Sequence, residues 1–176
     1  AVDTRTRGVE AVLSYNRALG AGVLNGTAAY SFAETEITAI DAPPAELQAI
    51  NPALTLVGVE EVNTIETATP EHKLTATVNY AVGDWRWLGR VRHFGSAERV
   101  FSFARQKFGP ETAVDIEAGY RLAAGLEWSI GARNLLDNFP DPSNPANNFF
   151  GNFAFDVLSP IGINGRYLYS RLAWRY

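Results

Sequence analysis

The last twelve residues, GRYLYSRLAWRY (165–176), alternate strictly between two kinds of side chain. A period of two is the mark of a β-strand, in which successive side chains point to opposite faces. One face of this strand is mainly apolar and aromatic, and the other carries arginine and tyrosine. The first set is Leu168, Ser170, Leu172, Trp174 and Tyr176, and the second is Tyr167, Tyr169, Arg171, Ala173 and Arg175.

The same period recurs along the chain and predicts seven strands, near residues 8–17, 22–37, 72–82, 85–97, 112–122, 125–136 and 164–176. Aromatic residues make up 12% of the 176 residues and glycines number 15, a composition that favours β-structure. The sequence therefore predicts an all-β protein, with residues 1–176 forming one unit.

The connections between these strands alternate in length. Short ones follow the first, third and fifth strands, and long ones lie near residues 39–70, 99–110 and 139–160. Loops of this length are uncommon inside a compact soluble domain. In an outer-membrane barrel, short periplasmic turns and long extracellular loops are the expected pattern.

Aromatic side chains on the apolar face cluster near the short turns. Trp and Tyr combine an apolar ring with a polar group, which suits the headgroup layer of a membrane. A soluble sandwich or lipocalin-like barrel would instead turn its apolar face inward, and nothing in it would sort aromatic residues by height. The predicted girdle is Tyr80, Trp85, Trp87, Tyr120, Trp128, Trp174 and Tyr176.

These observations predict an antiparallel up-and-down transmembrane β-barrel segment. An open set of seven strands would leave unpaired edges in lipid, so we expect it to be part of a larger barrel. Two alternatives remain: a small stand-alone outer-membrane porin or adhesin with an eighth strand, and a soluble ligand-binding β-domain.

Several stretches resemble TonB-dependent outer-membrane receptors. GYRLAAGLEWSIGARNLLDNFPD (119–141) resembles the penultimate hairpin of these receptors, and SPIGINGRYLYSRLAWRY (159–176) resembles their final strand. TRGVEAVLSYNRAL (6–19) and TPEHKLTATVNYAVGDW (69–85) are similar to two further strand patterns of the family.

The resemblance implies that this chain is the C-terminal part of a 22-stranded barrel in the bacterial outer membrane. It implies active uptake of a siderophore, cobalamin or glycan-type ligand, with no cofactor and no enzymatic activity. The implied partners are outer-membrane lipid, the missing N-terminal barrel and plug, the TonB system acting through the plug, and the barrel-assembly machinery. Leu172, Trp174 and Tyr176 resemble the C-terminal signal read by that machinery, a role compatible with a place in the girdle.

The charged face is predicted to line the lumen, either as a solvated wall or as a surface for plug or ligand contacts. In a regular hairpin, Arg121 would face Glu127 and Asp115 would face Arg133, which predicts cross-strand ion pairs. The lumen-facing residues are Arg86, Arg90, Arg92, Asp115, Glu117, Arg121, Arg133 and Arg171.

The stretch DNFPDPSNPANNFF (137–150) supplies the candidate ligand contacts of the last long loop: Asn147, Asn148, Phe149 and Phe150. Asp137, Asp141, Asn144 and Asn147 carry the oxygen atoms that Ca²⁺ prefers, but their spacing is not that of a known calcium loop, so a turn-rich loop is favoured.

Composition argues against other functions. The net charge of −4 offers no basic surface for nucleic acid, and the absence of cysteine excludes a thiol nucleophile. The two histidines, His72 and His93, lie on different predicted strands with no serine and acid grouped beside them. The sequence thus predicts no catalytic or metal site.

Overall fold

A computed structural model describes residues 1–101, 104–123 and 125–174. These form nine strands and two short helices. The strands are β1 (Val2–Leu19), β2 (Gly22–Ile40), β3 (His72–Val82), β4 (Trp85–Phe94), β5 (Ala97–Val100), β6 (Arg105–Phe108), β7 (Glu111–Ala123), β8 (Leu126–Arg133) and β9 (Tyr167–Trp174); the helices are α1 (Ala45–Ile50) and α2 (Val59–Glu66).

Seven of the strands form one antiparallel sheet in the order β1-β2-β3-β4-β7-β8-β9, and β5 and β6 form a separate hairpin. Each long strand therefore pairs with the next long strand along the chain. This is the predicted meander of about seven strands. The longest pair, β1 and β2, runs in register from Val2↔Ile40 to Leu19↔Gly22, with one irregularity after Asp3.

Two-residue turns close the short connections. Leu19 pairs with Gly22, and Val82 pairs with Trp85, so each turn contains two residues. Gly20 and Gly83 have φ angles of 59° and 57°, which place them in the left-handed region that a primed hairpin turn requires. The positions of these glycines thus fix the register of the first two hairpins.

The sheet keeps its two faces in phase from strand to strand. Large apolar side chains on one face remain exposed, although such residues are normally buried in a soluble protein. A single sheet layer with an uncovered apolar face needs a second layer or lipid against it. Examples of these exposed residues are Leu13, Val78, Val91, Ile130 and Leu172.

The long connections hold more regular structure than expected. The segment between β2 and β3 contains α1 and α2, and the segment predicted as a loop over 99–110 contains most of the β5–β6 hairpin. The strand predicted over 85–97 ends at Phe94, and Ala97 begins β5. In this hairpin the charges of Glu98 and Arg105 mask the period-two pattern, because they fall on strands of only four residues.

Strand bounds differ from the predicted ranges mainly at the loop ends. β1 begins at Val2 and not near residue 8, while β8 ends at Arg133 and β9 spans Tyr167–Trp174. Arg175 and Tyr176, which the sequence assigned to the last strand, lie outside the described residues.

No helix within the described ranges is long and apolar enough to cross a membrane.

Candidate functional site: the charged face and the outer connections

An ion network lies on the charged face near the short turns, centred on Glu117 of β7. The Glu117 side chain is only 13% exposed. Its Oε1 accepts from Arg86 Nη2 at 3.3 Å and from Arg171 Nη2 at 3.1 Å. Its Oε2 accepts from the Tyr169 hydroxyl at 2.8 Å, and Arg86 also pairs with Glu127. We call these five residues the lower network; its two arginines and two carboxylates balance in charge.

Glycines make room for this network. Gly131 pairs with Tyr169 across β8 and β9, and a Cβ at Gly131 would lie 2.5 Å from the tyrosine ring. A Cβ at Gly119 would lie 3.3 Å from the carboxylate of Glu127 and 3.4 Å from Arg86 Nη2. The absence of side chains at these two positions lets long polar side chains lie flat against the sheet.

A second group, Arg90, Arg92, Asp115 and Arg133, lies further toward the long loops. We call it the upper belt. Arg90 is paired in register with Asp115, and the β7–β8 register carries Arg133 to the other side of the same aspartate. Asp115 Oδ1 accepts from Arg92 Nη2 at 3.3 Å and from the backbone N–H of Asn134 at 3.0 Å.

Neither of the two predicted cross-strand ion pairs forms, and each residue pairs with a group on or beside another neighbouring strand instead. Arg121 is opposite Glu127 as expected, but its nearest carboxylate is that of Asp84, at 3.6 Å. Asp115 pairs with Arg92 and not with Arg133, whose guanidinium lies 5.9 Å from the centre of the Tyr169 ring. Arg92 reaches diagonally, because Asp115 lies two positions from its direct partner Ala113, whereas Asp84 lies next to Arg121 just before the start of β4.

Replacement of Glu117 by glutamine is expected to lower the free energy of unfolding by ~1 kcal/mol, because two arginines lose their shared carboxylate. The value is small because Arg86 and Arg171 are more than a third exposed and solvent screens their charges. The midpoint of guanidinium unfolding measures it. Glu34→Gln is the control, since Glu34 pairs with Arg7 at 3.6 Å on an exposed surface. Equal midpoints for the two variants would contradict a central role for Glu117.

Aromatic rings on the apolar face form a row near the short turns. The rings of Trp85 and Trp87 lie 5.5 Å apart, and Trp85 and Tyr120 lie 4.7 Å apart. The register places Tyr80 beside Trp87 and Trp128 beside Tyr120. Five of the predicted girdle residues are therefore contiguous in space, on four neighbouring strands.

Polar atoms of this row find partners within the sheet. The Tyr80 hydroxyl donates to the carbonyl of Leu19 at 3.1 Å, and Trp128 Nε1 donates to Ser170 Oγ at 2.9 Å. Trp174 pairs with Leu126 in register, while Tyr176 lies outside the described residues. Leu172, the third residue of the predicted assembly signal, is exposed on the same face.

The three long connections pack against one another through residues that sequence reasoning missed. Asn63 of α2 donates to the carbonyl of Glu98 at 2.7 Å and accepts from the N–H of Val100 at 2.8 Å. Arg99 Nε lies 3.2 Å from Asp156 Oδ2, and both side chains are buried, at 11% and 8% exposure. An asparagine inside a helix is a weak helix former, and this was the one available signal.

The predicted ligand residues of the last connection divide into two kinds. Asn147 is buried, and its Nδ2 lies 3.4 Å from the carbonyl of Ala104. The Asn148 carbonyl accepts from the N–H of Phe153 at 3.0 Å. Phe149 and Phe150 both have positive φ angles, of 45° and 59°, a rare conformation for bulky residues. The asparagines therefore shape the loop, while the phenylalanines are presented on it.

The exposed aromatic tip of this loop is Phe149, Phe150 and Phe153. The ring of Phe149 lies 5.7 Å from that of Phe150 and 6.2 Å from that of Phe153. Phe150 is 97% exposed. Three clustered rings, inclined to one another and with one almost fully exposed member, offer an apolar surface to a ligand.

Oxygen atoms considered for Ca²⁺ serve as acceptors for loop backbone. Asp141 Oδ2 accepts from the N–H of Gly109 at 2.7 Å, and Asp137 Oδ1 accepts from that of Arg166 at 2.7 Å. Asn144 Oδ1 accepts from the N–H of Asn147 at 2.9 Å. Over the described part of the chain, no three acidic or histidine side chains are grouped as metal ligands.

Each histidine side chain is hydrogen-bonded to a hydroxyl group and not to a carboxylate. His72 Nδ1 lies 2.8 Å from the Tyr30 hydroxyl, and His93 Nδ1 lies 2.8 Å from Thr112 Oγ1. A histidine that acts as a general base would need a carboxylate partner to orient its ring.

The fold and its two faces define a class of protein. A meander with short turns at one end, structured connections at the other, an exposed apolar face and a charged opposite face is the wall of an outer-membrane β-barrel. Comparison with protein families agrees: residues 1–135 match the model described as TonB dependent receptor-like, beta-barrel. The chain belongs to the TonB-dependent receptor family, whose members are outer-membrane transporters and not enzymes.

Solved structures are similar to this chain, and the first of them supports the same fold. A chain of the FpvAI–pyocin S2 complex is 16% identical with a TM-score of 0.56, over 79% of this chain and 16% of that one. A mutant of the ferric enterobactin receptor PfeA from Pseudomonas aeruginosa is 14% identical with a TM-score of 0.47, over 97% of this chain and 31% of that one. This chain thus spans less than a third of either. Comparison with curated protein sequences finds no match.

Proposed function

We propose that this chain supplies wall and outer loops to a receptor that actively imports a ligand across the outer membrane, with energy delivered by TonB through a plug. The observation that carries the proposal is the division of the sheet into an aromatic-rich apolar face and a charged face that holds a partly buried ion network. Lipid would cover the first face, and the second would line the lumen opposite the plug.

The long connections would lie on the outer side of the membrane, because outer-membrane barrels have short periplasmic turns and long extracellular loops. In this orientation Phe149 and Phe150 would lie at the entrance to the lumen, where a ligand first arrives. A siderophore, a cobalamin or a glycan presents planar or apolar surface that aromatic rings can cover.

Disruption of the gene in the source bacterium tests the proposal. Cells would be given ⁵⁵Fe-labelled ferric chelates, ⁵⁷Co-cyanocobalamin and labelled oligosaccharides, with and without a protonophore. We expect energy-dependent uptake of one ligand to be lost and to return on complementation. An antibody to this chain should detect a heat-modifiable outer-membrane band much larger than 19.2 kDa. Unchanged uptake of every ligand, or a band of 19.2 kDa, would contradict the proposal.

Phe150→Ala is expected to reduce uptake of that ligand about three- to tenfold at limiting concentration, through loss of one aromatic contact. The exposed ring contributes little to folding, so the amount of heat-modifiable receptor should be unchanged. Ile50→Ala is the matched control, since Ile50 of α1 is an exposed apolar residue on a different connection. Uptake that falls equally in both variants would assign the loss to general damage of the outer surface.

A further inference from the structure

The upper belt carries more positive charge than its surroundings neutralise. It contains three guanidinium groups and one carboxylate, on β4, β7 and β8. Arg90 lies four residues beyond Arg86 of the lower network, about 13 Å further along the strand toward the outer loops. The two groups adjoin at Tyr169, whose ring Arg133 contacts, but only the lower network is balanced in charge.

Hydrogen bonds within the upper belt show which arginines carry the excess positive charge. Asp115 is used by Arg92 and by the backbone of Asn134, as described above. Arg90 Nε reaches Thr77 Oγ1 at 3.3 Å, and Arg133 contacts the Tyr169 ring. Neither Arg90 nor Arg133 forms an ion pair within the described ranges.

Hydrogen-bond acceptors are scarce around the upper belt. Arg92 Nε is buried without a hydrogen-bond partner in the described structure. The carboxylates nearest along β7 are already in use: Glu117 belongs to the lower network, and Glu111 Oε2 accepts from Ser159 Oγ at 2.8 Å. Guanidinium groups that face a lumen without acceptors leave directional N–H donors free for an incoming anion.

We infer that the upper belt binds an anionic group of the imported ligand, a carboxylate or a phosphate, chiefly through Arg90 and Arg133. The planar guanidinium fork matches both groups with two parallel hydrogen bonds. Asp115 keeps Arg92 in place and separates the two free arginines, which favours a ligand with two anionic oxygens spread over the row. The inference rests on the proposed function, in which this face lines the lumen.

Binding of small polyanions to the purified complete receptor tests the inference without any transport step. Equilibrium dialysis with ¹⁴C-citrate, and separately with ³²P-pyrophosphate, would be run at low ionic strength, because added salt screens such contacts. We expect saturable binding that weakens at least tenfold in Arg90→Gln and in Arg133→Gln. Arg133→Lys keeps the charge but loses the fork, and should fall between Arg133→Gln and the parent.

Arg17→Gln is the matched control. Arg17 pairs with Leu24 in register on the apolar face, so it lies on the other side of the sheet, and its loss should leave citrate binding unchanged. Heat modifiability of each variant shows that the barrel is folded.

Two results would overturn the inference: no saturable binding of either probe to the parent receptor, or equal binding to Arg90→Gln, Arg133→Gln and the parent. If a carboxylate of the plug already occupies the upper belt, neither probe will bind to the parent receptor. In that case Arg90→Gln and Arg133→Gln should both unfold at a lower temperature than the parent. Either of these results would overturn the inference about the upper belt without affecting the proposed transport function. Unchanged uptake after gene disruption would overturn the proposed function even if the receptor binds citrate.

Discussion

Replacement of Gly131 by valine is expected to destabilise the barrel wall by ~3 kcal/mol, or to prevent its assembly. Gly131 lies in β8 between β7 and β9, where the sheet has neighbours on both sides. A Cβ there would lie 2.5 Å from the ring of Tyr169 and 2.8 Å from the backbone oxygen of Ile116. The ring can rotate away, but the oxygen is fixed in the strand ladder, so the strands themselves must separate.

The loss of the tyrosine contact adds to this effect. Displacement of Tyr169 breaks its 2.8 Å hydrogen bond to Glu117 and its contact with Arg133, so one added side chain disturbs both charged groups. Gly89→Val is the matched control, because Gly89 is also a strand glycine and a Cβ there meets no atom within 4 Å.

Thermal loss of the heat-modifiable band in detergent measures the difference. We expect the midpoint to fall by several degrees in Gly131→Val and to stay near that of the parent in Gly89→Val. Similar midpoints for the two variants would mean that β8 and β9 are less tightly paired than the structure shows.

Asp156→Asn is expected to have the second large effect, a local destabilisation of the outer connections by ~3 kcal/mol. The substitution keeps the shape of the side chain but removes its charge, which leaves Arg99 buried without a counter-ion. Arg99 is part of β5 and Asp156 precedes β9, so this pair holds two connections together.

Hydrogen exchange of the complete receptor locates the effect. We expect faster exchange in 97–108 and 153–160, with unchanged exchange in the strands of the large sheet. Arg105→Gln is the control, because Arg105 pairs with Glu98 in an exposed position at 2.5 Å. Exchange rates in Asp156→Asn equal to those of the parent would show that the Arg99–Asp156 pair does not hold the outer connections together.

The sheet could be predicted from sequence because its determinants are local. Alternation along each strand sets the two faces, and Gly83 with its two-residue turn sets the register of its hairpin. The order β4 to β7 also follows from the meander, once the intervening segment is assigned to the outer end. The aromatic row could be predicted without the structure, because the position of each residue along its strand can be counted from the short turn.

The interactions of the charged side chains could not be predicted in the same way. The positions of Arg121 and Glu127 were correct, but arginine partners depend on rotamers and on the space left by glycines such as Gly131. The outer connections depend on contacts far apart in the sequence, such as Arg99 with Asp156. No period or short motif encodes a contact of that range.

The β5–β6 excursion leaves and re-enters the sheet at directly paired residues, Phe94 and Glu111. Its two ends are thus one strand spacing apart, about 5 Å, and they are already joined by the ladder. The segment of sixteen residues between them can therefore change in length, or accept an inserted epitope, without any demand on strand register. The sequence of this segment can also diverge between relatives while the paired strands on either side of it keep their register.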